Sequence, residues 1–201
     1  MADNGKRQVD ARVRKTRLRL RRAYFSMLEN DERLNIAAIS KRAGVTRGTF
    51  YQHYHDKDEF LRAVMVDSVN DFINACVYVR SGDKGPERMN LHEGLEYLVR
   101  KENGFAILFT SARGDDFANK FADALCDKMR QYVAQQQVHP STTAQFSEDD
   151  ILHLVAMTNV LVFKGWLLGG MRRSATYVYD LVTFAADRLA SGQTDIRGFY
   201  Y

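Results

Sequence analysis

Proline is nearly absent from this 201-residue chain, which has only Pro86 and Pro140. Because proline ends helices and cannot donate to a strand ladder, two widely spaced copies leave long segments free to be helical. Cysteine is equally scarce. Cys76 and Cys126 lie 50 residues apart, in no CxxC pair and no Cys/His cluster, so neither a disulfide framework nor a zinc site of ordinary spacing is indicated. Reduced thiols in a cytoplasm are the plain expectation, with a redox-sensing pair as the sharper alternative. The five histidines, His53, His55, His92, His139 and His153, fall into no H-x-x-x-H or H-E-x-x-H spacing. There is no GxSxG elbow, no Walker loop and no GxGxxG after a strand, so no catalytic residue, metal or cofactor is expected. The N-terminus also lacks the apolar stretch of a secretory signal.

What is present is helix-forming and unevenly charged. An apolar content of 45% with 27% charged residues is ordinary for a soluble globular protein. Residues 6–22 carry nine Lys or Arg against a single acid, Asp10. Across residues 1–60 there are 14 basic and 8 acidic side chains, while residues 61–201 have 15 and 17. Positive charge concentrated in one third of the chain is the footprint of phosphate binding, because counterion release supplies much of the sequence-independent affinity for nucleic acid. A merely solvated basic face is the bland alternative. Residues 1–11 read as a disordered basic arm able to follow a DNA backbone or minor groove.

Residues 34–60 read as two short helices across a tight turn, followed by the start of a third. Asn35 is an N-cap for a helix with Ile36, Ile39 and Ala43 at helical spacing. Gly44 stops that helix where a left-handed residue is needed, and Thr46 caps the next. The second helix, about 47–53, is too short to be stable alone and needs Phe50 as an inward anchor. Its other face then presents Arg47, Gly48, Thr49, Tyr51, Gln52 and His53, hydrogen-bonding groups suited to base edges in a major groove. Asp56 and Glu59 form a capping box, and Lys57 at the start of the third helix is placed for a phosphate. The unit is a helix-turn-helix.

The run ISKRAGVTRGTFYQHYHDKDEFL at residues 39–61 resembles the TetR/AcrR signature, with its AGV turn, TFY recognition helix and D-K opening of the next helix. Thr16, Arg17, Leu20, Ala23, Tyr24, Met27 and Leu28 fall where that family's first helix places its pattern. The resemblance is continuous over about residues 12–65. It implies an all-α, homodimeric, cytoplasmic transcriptional regulator, usually a repressor released by a small ligand. By position it carries DNA contact onto Asn35, Thr46, Arg47, Gly48, Thr49, Tyr51, His53, Tyr54 and Lys57. Ala37 departs from members with a base-reading arginine there, which shifts readout to Arg47 and its neighbours.

The helix-turn-helix domain is thus assigned to residues 12–60 and a helical regulatory and dimerisation domain to 61–201. A linker helix over 57–80 is predicted, with Phe60, Leu61, Val64, Met65, Val69, Phe72 and Ile73 on its buried side and a break at 81–86. Further helices are predicted near 89–101, 104–112, 115–137, 148–170 and 175–190, with a polar loop at 138–147. Residues 165–171 and Ser174 resemble the end of the regulatory domain in a Gram-positive subgroup of the same family.

Residues 151–171 are apolar enough to suggest a membrane span, but Lys164 in hydrocarbon would cost about 2.5–3.5 kcal/mol. A core helix buried on two sides is preferred, packed on the stripe Val178, Leu181, Val182, Ala185 and Leu189 and forming a dimer interface with it. A ligand pocket in this domain would draw on Tyr97, Phe105, Phe109, Phe117, Phe121, Met157, Asn159, Phe163, Lys164 and Trp166. Aromatics at helical spacing are more often core than pocket. Lys164 has as alternatives an anionic ligand, the solvated rim, or an acid such as Glu96 or Asp180. A coregulator of the same fold that works through a protein partner is the second functional reading.

Overall fold

The computed structural model describes residues 2–76, 78–80, 85–100, 104–136 and 145–201. The helices among these are α1 (Ala2–Glu29), α2 (Ile36–Arg42), α3 (Arg47–Tyr51), α4 (Lys57–Ala75), α5 (Leu91–Val99), α6 (Phe105–Thr110), α7 (Gly114–Gln136), α8 (Glu148–Leu168) and α9 (Ala175–Ala190). A two-stranded antiparallel hairpin, β1 (Tyr78–Arg80) with β2 (Glu87–Met89), interrupts the series. The architecture is all-α.

The first three helices and the start of α4 enclose a small aromatic core. Leu20, Tyr24 and Met27 from α1 meet Ile39, Phe50, Tyr54, Phe60 and Val64, all buried. Tyr24 and Phe60 meet edge to face at 5.7 Å, and Phe50 lies 5.5 Å from Phe60. Such aromatic contacts contribute about 0.5–1.5 kcal/mol each beyond area burial. They hold α3, whose five residues could not sustain a helix alone.

α4 belongs to both halves of the molecule. Its first turns close the aromatic core just described, and Phe72 near its other end packs on Phe121 at 4.7 Å and on Phe163 at 6.0 Å. α8 lies between α7 and α9, with Ile151, Leu152, Val155, Ala156, Val160 and Phe163 buried. By length and composition α8 could cross a membrane, yet here its inward side is the core of the second domain.

Three features differ from the sequence reading. Residues 2–10, expected within a disordered arm, continue α1: once a helix is nucleated, each added residue gains a hydrogen bond, and no proline stops it. The linker helix ends at Ala75 instead of running to residue 80, and the chain turns extended at Cys76 to enter β1. On α9 the inward stripe is Val178, Val182, Ala186 and Ala190, whereas Leu181 faces outward. Residues 81–84 of the predicted break, and most of the predicted loop at 138–147, lie outside the described residues.

Candidate nucleic-acid interface

The turn between α2 and α3 is built by local chemistry. Asn35 Oδ1 accepts from the Ala38 amide at 2.9 Å and caps α2. Gly44 adopts φ +64°, the left-handed region that an added Cβ would strain. The Arg19 guanidinium donates to its carbonyl at 2.9 Å, bracing the turn from α1. Thr46 Oγ1 accepts from the Thr49 amide at 3.0 Å and lies 2.9 Å from the Thr49 hydroxyl. Both hydroxyls at the start of α3 are therefore held in place.

With Phe50 fully buried, α3 turns Arg47, Gly48 and Tyr51 to solvent, and Gln52 follows at the helix end. Thr49 and His53 are half-buried. The helix ends at Tyr51, so His53 and Tyr54 lie in the turn beyond it rather than on its last coil. Tyr54 is 3% exposed and its ring packs on Phe50 and Phe60, so it supports the surface more than it forms it. The Arg17 guanidinium lies 5.4 Å over that ring. Burial pushes the Tyr54 hydroxyl up to about 12. His53 is held below its ordinary value, first by burial and then by the positive charge of Arg17.

α4 opens with the expected box, modified in one arm. Asp56 Oδ1 accepts from the Glu59 amide at 2.7 Å, and Glu59 returns to the His55 amide at 2.6 Å, one residue earlier than the cap itself. Lys57 Nζ donates to the Leu34 carbonyl at 3.2 Å. That bond fixes the ammonium beside the start of α2, where Lys57, Arg47, Asn35 and Ala37 line one shallow hollow. Two cations thus converge on a concave surface at the edge of the exposed α3 row, an arrangement that can receive a phosphate while α3 meets base edges.

The ten residues proposed for a ligand pocket take different places. Phe105, Phe109, Phe117, Phe121 and Phe163 are buried ring against ring, with Phe109 and Phe117 at 4.9 Å and Phe121 and Phe163 at 6.0 Å; Tyr97 leans edge-on against Phe105 at 6.0 Å, and together they form core. Lys164 stands 3.8 Å from Asp115, neither of the acids named from sequence. Because Asp115 is fully exposed, that pair contributes little. Trp166 Nε1 donates to the Arg173 carbonyl at 2.9 Å and ties off the turn between α8 and α9. Met157 is half-buried, and Asn159 is completely buried.

Residues 32–64 match the family described as bacterial regulatory proteins, tetR family. The matched stretch spans α2, α3 and the first turns of α4, and this unit is similar to the DNA-binding unit of those regulators. Over 96 residues it is 28% identical to an uncharacterized HTH-type transcriptional regulator, YxbF, of Bacillus subtilis (strain 168). That stretch is 46% of this chain but only 24% of the relative. Among solved structures, the crystal structure of a transcriptional regulator FadR from Bacillus subtilis in complex with stearoyl-CoA is similar at 13% identity and a TM-score of 0.48. It covers 87% of this chain, and this chain covers 97% of it.

The side chain of Ala37 leaves the hollow beside Arg47 without a second long side chain from α2. Sequence reasoning missed two participants. Arg17 and Arg19 come from α1, and only their contacts across the fold, to Tyr54 and Gly44, disclose them. Their signal was diluted in a run of nine basic residues. Among the described residues no group of three His, Cys, Asp or Glu could hold a metal ion.

Proposed function

We propose that the protein is a sequence-specific, homodimeric DNA-binding repressor of the cytoplasm, released from its operator by a small molecule bound in the second domain. The reading is carried by the exposed row Arg47, Gly48, Tyr51 and Gln52 on a short helix pinned by Phe50, with Arg47 and Lys57 converging at its edge. Arg47, Thr49, Tyr51, Gln52 and His53 meet base edges; Asn35, Thr46, Gly48, Tyr54 and Lys57 position the backbone.

Two heads are needed because one five-residue helix contacts too few base pairs. Support for pairing comes from α8 and α9. Leu154, Leu161 and Leu168 repeat every seven residues on the outward side of α8 and are 48, 57 and 44% exposed. A Cβ at Gly165, between the last two, would meet nothing within 4 Å, so a second helix can approach closely there. Tyr177, Leu181 and Phe184 continue the apolar surface on α9, and Phe184 is 59% exposed. A second copy of the chain related by a two-fold axis covers both stripes at once.

The test is selection of bound fragments from a random DNA pool by the purified protein, with its mass in solution measured alongside. A dimer that enriches a near-palindrome with half-site centres about 34–36 Å apart, or a multiple of that spacing, is the expected result. A monomer that retains all fragments alike and releases them with modest salt overturns the reading.

A further inference from the structure

Not every buried polar atom of the second domain is matched. Asn159 is fully buried; its amide nitrogen donates to the Tyr200 hydroxyl at 2.6 Å, and its carbonyl oxygen has no partner. Turning the amide over exchanges its ends and still leaves one of them unmatched. The Tyr78 hydroxyl is likewise buried without a partner. An orphaned amide deep in a core is costly, and two such groups together call for an occupant.

These groups share one place. Tyr78 pairs with Met89 across the two-stranded hairpin and Met89 makes one isolated parallel bridge to Tyr200, so the two tyrosines flank Met89. Asn159 reaches Tyr200 from α8, with Phe163 one turn further along the same side. The Cys76 thiol lies close enough to both tyrosines to act on their ionisation, and burial drives all three groups upward. Glu93 acts on Cys76 and Glu87 on Tyr78, and the Lys128 ammonium lies 4.9 Å over the Tyr78 ring.

The closing piece is the irregular segment after α9. Ile196, Phe199 and Tyr200 are its buried side chains. Beside the ribbon its bonds include Met89 amide to Phe199 carbonyl at 2.7 Å, Tyr201 amide to Met89 carbonyl at 3.0 Å and Arg88 Nε to Gly198 carbonyl at 2.6 Å, and further back the Tyr132 hydroxyl to Arg197 carbonyl at 2.7 Å and Gln136 Nε2 to Asp195 carbonyl at 3.1 Å. Irregular backbone at the edge of a small ribbon opens more cheaply than the helices around it.

We propose that Tyr200 is a built-in plug in a small-molecule site whose polar end is Asn159 with Tyr78, and that an uncharged phenol or aromatic alcohol binds there by displacing the Tyr200 ring. The inference deepens the effector-controlled reading above. A hydroxyl both donates and accepts, which suits an amide whichever way it is turned. The Asn159 amide is neutral and matches an uncharged head, while Lys128 and Arg88 at the outer side of the ribbon make the anionic probe a necessary arm of the test.

Binding is measured on the full chain without DNA, so its outcome is separate from whether DNA is released. The probes are p-cresol, its apolar isostere toluene and the anion 4-methylbenzoate, followed by calorimetry and by the rate of tryptic cleavage after exposed Arg197. In the wild-type chain p-cresol binds saturably and speeds that cleavage. Tyr200→Ala, which removes the intramolecular competitor, binds p-cresol at least about tenfold more tightly and prefers it to both other probes. Adding Asn159→Leu abolishes the preference over toluene. Equal p-cresol affinity in wild type and Tyr200→Ala, or no discrimination from toluene in Tyr200→Ala, overturns the plug. Should Tyr200→Ala not fold, Tyr200→Phe keeps the ring and drops only the bond to Asn159; p-cresol affinity then rises several-fold, and an unchanged affinity counts against the proposal.

Discussion

α3 and α8 solve opposite problems. α3 has five residues, one of them buried, and it exists because Phe50 is gripped by Tyr54 and Phe60, with Tyr24 behind Phe60. α8 has 21 residues, eight of them buried, and would hold its place in the core without any single anchor. Their outward faces differ as sharply. Arg47, Tyr51 and Gln52 on and just after α3 present polar tips that water satisfies. Leu154, Leu161 and Leu168 on α8 present hydrocarbon that water does not satisfy. The weakly held helix shows polar groups outward, and the strongly held one shows hydrocarbon.

That contrast can be broken most severely at Phe50. Phe50→Ala should cost about 3–5 kcal/mol of stability, read as a lowered urea midpoint, and abolish DNA retention; retention at full strength would mean α3 is not held as described. Next in size is the α8–α9 surface. Leu161→Lys with Phe184→Lys should leave helicity intact, since both side chains are exposed in the single chain, yet shift the protein to monomer by sedimentation. Like charges facing across a two-fold axis cost several kcal/mol, so DNA affinity should fall by about a hundredfold or more. Arg47→Ala should cost about 1–3 kcal/mol on selected DNA and relax preference at one base position, whereas Lys57→Ala should weaken all sequences alike. Equal loss on selected and random DNA would remove Arg47 from base readout.

The ion pair between Arg113 and Asp58, at 2.8 Å, joins the start of α4 to the turn before α7. Both side chains are well exposed, so Arg113→Ala should cost less than about 1 kcal/mol in unfolding free energy. A larger effect would mark it as more than a surface pair. The smallest expected effect is at His53. Its folded pKa lies below the ordinary 6.5, because burial and then Arg17 oppose protonation. The unfolded chain therefore takes up the proton first, so this group's contribution to stability is present above about pH 6.5 and is lost as pH falls through the folded value. DNA affinity should move the other way, rising from pH 7 to pH 5 as the imidazolium adds positive charge beside a polyanion. His53→Gln should flatten both trends, and unchanged slopes would exclude the imidazole as their source.

The helices after the hairpin were legible nearly to the residue, since α7 and α9 carry apolar residues at i, i+3 and i+4 over many turns. The caps at Asn35, Thr46 and Asp56 were legible as well, because each hydrogen bond closes within three residues. The hairpin at 78–89 was not legible: three-residue strands are too short for an alternation to show. Nor was the burial of the five phenylalanines as one filled core, which depends on how α4, α6, α7 and α8 meet.

Sequence alone determined the helical class, the capped helix-turn-helix, the polar face of α3 and the concentration of positive charge near it, because each is set by neighbours within about one helical turn or by composition. Tertiary structure alone decided that Lys57 is fastened to Leu34, that Arg17 covers Tyr54, that α8 keeps a bare row of leucines, and that Tyr200 meets Asn159 across 41 residues of chain. Those pairings join segments with no shared periodicity, and which polar atom goes without a partner is known only once every neighbour has been packed around it.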